Sequence, residues 1–141
     1  AVALWATMQH LPLERGGEFA RGLEAGRDAA LALYAALDGD ARFVPLLEPE
    51  LDIVVFALRA ATAGASSRMA RAVFDAAAAR DLHLALATLP RTIAEPAAPV
   101  GTWDRDDIVC LRACVMKPSH REWMPEIVKR LCEAAASARA E

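Results

Sequence analysis

A chain of 141 residues, 55% hydrophobic and 25% charged, has the length for one domain with its own core and not the composition of a disordered segment. Its formal net charge of −3 gives no pointer to nucleic acid or an anionic membrane as a partner. No apolar run approaches the roughly 20 residues of a spanning helix, and the start lacks the basic and apolar regions of a signal peptide.

Residues 1–11, AVALWATMQHL, place Leu4, Met8 and Leu11 at helical spacing, and Pro12 ends the segment. The chain opens on Ala1 and its first methionine is Met8, so this helix reads as one entered midway, in a piece of a longer protein. A long helix is predicted over 14–38. Phe19, Leu23, Ala30, Tyr34 and Leu37 form its buried stripe, and Arg21, Glu24, Arg27 and Asp28 face water. Gly22 and Gly26, four apart, leave room for another helix to approach closely. Asp38-Gly39-Asp40 closes the helix and turns the chain.

Two strands are predicted next, 42–47 and 51–58, joined by Glu48-Pro49-Glu50 and rich in β-branched and aromatic side chains. A small-residue loop over 60–65 leads to Ser66 or Ser67 as an N-cap. The following helix, 67–81, buries Met69, Val73, Phe74 and Ala77. A third strand is predicted over 83–89, resuming to Ile93, and then a surface loop over 94–104 that contains Pro96, Pro99 and Gly101. The last helix is predicted to start near Trp123, which puts Pro125 in the first turn, where its missing N–H costs nothing. The competing start, a capping box Ser119-x-x-Glu122, would place Pro125 inside the helix.

The fourth strand lies in DDIVCLRACVMKPSHREW, residues 106–123. Period-two alternation puts Val109, Leu111, Ala113 and Val115 on one face, and Ile108, Cys110, Arg112, Cys114 and Met116 on the other. A strand so apolar should be buried, and an arginine at its centre then calls for an anion, because an unpaired buried guanidinium is very costly. The order helix, β, β, helix, β, β, helix predicts an α+β domain. Its four-stranded, mostly antiparallel sheet would carry helices on one face. The other face would stay open with Cys110, Arg112 and Cys114 on it, to be covered by another domain.

Three motifs, LWATMQHL (4–11), EPELDIVVFAL (48–58) and LRACVMKP (111–118), stand in an order and spacing that resemble a known family. Together they are similar to the C-terminal part of the pyridoxal-phosphate-dependent group II amino-acid decarboxylases, such as the glutamate, aromatic amino acid and tyrosine enzymes. The resemblance spans nearly the whole chain. It implies that residues 1–12 end an interdomain helix from a large domain and that 13–141 form the C-terminal α+β small domain of a fold-type I enzyme. It implies a lyase as the intact protein, a homodimer with an amino-acid substrate, whose pyridoxal phosphate is bound mainly by the upstream domain. No cofactor-binding or catalytic residue would lie in this chain, which alone would be inactive. The family's arginine in the last strand matches Arg112 and contacts the substrate carboxylate in several members. Lys117 stands where the family often has Asn, and the region 60–67 is shortened. Two other readings stay open: the small domain of another fold-type I pyridoxal enzyme, aminotransferase or carbon–carbon lyase, and a non-enzymatic ligand-sensing or interaction domain.

The remaining chemistry-bearing residues carry weaker signals. Lys117 and Lys129, the only lysines, read as surface charges and not as a Schiff-base lysine. Cys110, Cys114, Cys132 and His120 are poor zinc ligands, because residues four apart on a strand are about 13 Å apart at ~3.3 Å each. The three cysteines, odd in number, are expected to be free thiols in a reducing compartment, with the cytoplasm as the location. His10, His83, the acidic run 104–107 and Gly16-Gly17 read as surface, turn or helix-entry residues. Trp5, Trp103 and Trp123 read as core or interface anchors, with no aromatic cage.

Overall fold

The computed structural model describes residues 2–97 and 101–139. Its elements are α1 (Val2–His10), α2 (Glu18–Asp38), β1 (Phe43–Pro45), β2 (Ile53–Leu58), α3 (Ala63–Ala78), β3 (Ala85–Pro90), α4 (Arg91–Ala94), β4 (Asp107–Cys114) and α5 (His120–Ser137). The four strands form one antiparallel sheet in the order β1-β2-β4-β3, so the last strand in sequence lies between two earlier ones. The fold is α+β, with the helices and the four-stranded sheet that the sequence pattern predicts. Among the described residues, no helix is long and apolar enough to cross a membrane.

The sheet has two unequal apolar faces. Val109, Leu111, Ala113 and Val115 of the β4 segment join Leu33, Leu37, Phe56, Val73 and Leu131 in the main core under α2, α3 and α5. Phe43 and Phe56 meet there edge to face, with ring centroids 5.8 Å apart. On the opposite face Ile108, Cys110, Ala57 and Val44 pack with Ala63, Ala94 and the half-buried Trp103. The described parts of the connection from β3 to β4, 91–97 and 101–106, therefore lie across this face as a strap. It is held by a parallel bridge, in which Ala63 N–H donates to Thr102 O (3.0 Å) and Thr102 N–H to Ala61 O (2.9 Å). α1 buries nothing; Leu4, Trp5 and Met8 are exposed.

Several boundaries and faces differ from the sequence pattern. α2 begins at Glu18, and its buried residues are Gly26, Ala29, Ala30, Leu33 and Leu37, while Phe19 and Leu23 stay exposed. The helix packs through its small residues, which bring it close to the sheet. What lies against Gly26 is not a second helix but the end of β4, with Val115 O 3.6 Å from where a Cβ would stand. α3 starts before Ser66 and Ser67 because Thr62 caps it, its side chain accepting from Ala65 N–H (3.1 Å). The third strand ends at Pro90 and does not resume to Ile93, which lies in α4. The start predicted near Trp123 for the last helix is three residues late. α5 begins at His120 with Pro125 inside it, and Ser119 makes no side-chain cap. The loss is one intrahelical hydrogen bond close to the helix start, while Trp123 N–H still reaches Ser119 O (3.2 Å).

Candidate functional site

Along β4 the environment changes abruptly. Ile108 to Leu111 are buried, whereas Arg112 and Cys114 are exposed. The strap covers the sheet up to Cys110 and leaves the other half of that face bare. Antiparallel register places Val55 and Ala85 beside Arg112, and Ile53 beside Cys114. Ile53 is 44% exposed and Met116 64%. The bare half is thus an apolar floor with one guanidinium standing on it. Among the described residues, no carboxylate forms an ion pair with Arg112.

This geometry corrects two expectations. Arg112 is not buried, so its charge carries no desolvation cost that some anion must offset. Cys110 is not on the open half: it is fully buried beneath the strap, and desolvation pushes its thiol up to about 12. What Arg112 retains is its shape. A planar, five-donor group grips a carboxylate through two parallel hydrogen bonds.

The other singled-out residues lie apart from this patch or serve the fold. Lys129 sits on α5, 3.7 Å from Glu126, and Lys117 is exposed in the turn after β4. Among the described residues there is therefore neither an enclosed amine nor a phosphate cradle, so they do not fit pyridoxal phosphate by themselves. Cys132 Sγ lies 3.7 Å from Asp40 Oδ2, and burial raises its thiol. Among the described residues, no group of three or more His, Cys, Asp and Glu side chains is placed to hold a metal. His10 and His83 are exposed, and His120 Nδ1 accepts from Lys117 N–H at 3.4 Å. Gly17 is the extended N-cap of α2, and Arg21 donates to Gly16 O. Arg91 lies over the Trp103 ring, 5.7 Å from its centroid, while Trp5 and Trp123 are exposed.

Sequence reasoning missed the role of Asp104. Its Oδ1 accepts from Gly64 N–H (2.7 Å) at the start of α3, and that hydrogen bond holds its carboxyl below the usual range. The partner is 40 residues away, and no local pattern signals such a cap.

No protein-family model matches the chain, and no curated protein matches it.

Proposed function

We propose that this chain is the C-terminal small domain of a pyridoxal-phosphate-dependent amino-acid decarboxylase and that Arg112 binds the substrate carboxylate there. The observation that supports the reading is the placement of Arg112, an unpaired cation on an uncovered apolar half-sheet. It stands where the resembling family has its carboxylate-contacting arginine. The exposed apolar α1 fits the same reading, since an interdomain helix would bury Leu4, Trp5 and Met8 against a larger domain. In the assembled, homodimeric enzyme, that domain would hold pyridoxal phosphate, which supplies the electron sink for loss of CO₂. The work of this chain is to close the site from one side, exclude water over the apolar floor and orient the substrate through Arg112.

The test is to purify the protein that carries this domain together with its upstream sequence, reconstitute it with pyridoxal phosphate and measure CO₂ release from a panel of amino acids. Saturable release from at least one of them is expected. Transamination or carbon–carbon cleavage without CO₂ release would assign the domain to another pyridoxal enzyme. Failure to bind the cofactor at all would overturn the reading.

A further inference from the structure

We propose that the wedge between β3 and β4 is a binding site for a small amphipathic monocarboxylate, an aromatic or aliphatic acid whose carboxylate pairs with Lys117. Pairing of β3 with β4 ends at Ala85 and Arg112. Just before it, Asp81 takes a left-handed conformation (φ 56°), and residues 82–84 diverge from β4 where the ladder would otherwise continue. α5 closes the opening from the helix side. The cavity that results measures about 450 Å³, well inside the ~300–1,000 Å³ range of small-molecule sites.

Its lining has the composition such sites need. Leu82, Leu84, Val115, Trp123 and Ile127 make apolar walls. Of the four Asp, Glu, Lys and Arg residues that line the cavity, two pair with each other. Arg130 donates to Glu126 at 2.8 Å, and Lys129 stands 3.7 Å from the same carboxylate. Asp81 lies close enough to act on Arg130. Asp81 and Lys117 line the cavity with no ion pair among the described residues, and Lys117 is the cation there left free to meet an acid. A polar anchor adds to it. Val115 N–H bonds Asp52 O (2.8 Å) on the β2 side, so the backbone groups of Cys114, one residue back, point toward the wedge. Among the described residues no backbone partner takes them, and the Cys114 N–H is therefore a second donor for a carboxylate. Arg112 is not part of the lining, and the proposal does not depend on the decarboxylase reading.

Titration of the 141-residue chain with 4-phenylbutyrate, followed by calorimetry, tests the site directly. The neutral control is 4-phenylbutan-1-ol, which keeps the apolar body and lacks the charge. Saturable binding of the acid is expected, with the alcohol weaker by about tenfold or more. Lys117→Gln, at an exposed position that tolerates substitution, should bring the acid down to the level of the alcohol. Ile127→Trp should abolish both by filling the cavity, and Trp123→Ala, which strips one wall, should weaken both if the first variant does not fold. Equal binding of acid and alcohol, no binding of the acid at millimolar concentration, or full affinity in Lys117→Gln would overturn the proposal.

Discussion

Ser67 joins two elements with one oxygen. Its hydroxyl donates to Ala63 O (2.8 Å) and accepts from Val109 N–H (3.0 Å), tying α3 to the central strand in a fully enclosed place. Ser67→Ala leaves that strand N–H buried without a partner, and unfolding free energy should fall by roughly 1–3 kcal/mol in urea denaturation. Arg112→Ala, at an exposed position, should leave stability within about 0.5 kcal/mol. The same substitution therefore separates a binding role from a folding role. The position of Arg112 on a strand face was legible from alternation alone. Its exposure was not, because alternation tells which face a side chain takes and not which part of that face another segment covers. The roles of Ser66 and Ser67 were hidden for a similar reason: both look like caps in sequence, and both turn inward, Ser66 toward Leu58 O (2.6 Å).

At the scale of elements, α2 and the turn after it offer two tests. Gly26 sits inside α2, and a Cβ there would meet Asp52 Cβ at 3.5 Å and Val115 O at 3.6 Å, ordinary contact distances. Gly26→Ala should therefore raise helix stability without a clash, by up to about 1 kcal/mol, seen as a higher urea midpoint. A lower midpoint would mean that α2 and β4 need the closer approach. Beyond α2, Arg42 donates to Asp40 Oδ2 (2.5 Å) and to Cys132 O (2.9 Å), linking the turn to α5. Hydrogen bonding from Arg42 lowers the Asp40 carboxyl to about 2, against an unfolded value near ~3.9. A depressed folded value means that the pair contributes fully above about pH 4 and loses its contribution as pH falls toward 2. With both side chains about a quarter exposed, the contribution is roughly 1–2 kcal/mol. Asp40→Asn should remove it at neutral pH and flatten the stability curve between about pH 4 and 2. An unchanged acid limb in that variant would contradict the assignment.

Over the whole molecule, the sheet has one complete cover and one partial cover, and the site lies where the partial cover ends. The complete cover was readable from the helical stripes and the order of elements. The strap was not: residues 94–104 look like a surface loop, with Pro96, Pro99 and Gly101 breaking every periodicity, yet Ala94 is buried and Trp103 half-buried. Residues 98–100, which include Pro99, fall outside the described residues. A strap with few side chains to bury gives no pattern, and its anchors at Thr62 and Gly64 are distant in sequence. The consequence is that half of Arg112's sheet face needs no other domain, while the other half accounts for the bare apolar floor. The central claim, that this half-sheet presents Arg112 to a substrate carboxylate, is tested most directly by steady-state decarboxylation in the reconstituted enzyme with Arg112→Ala beside wild type. The account predicts that KM rises by about tenfold or more, the loss expected for one charge-assisted bidentate contact, with partial recovery in Arg112→Lys. Unchanged KM and kcat in Arg112→Ala would contradict it.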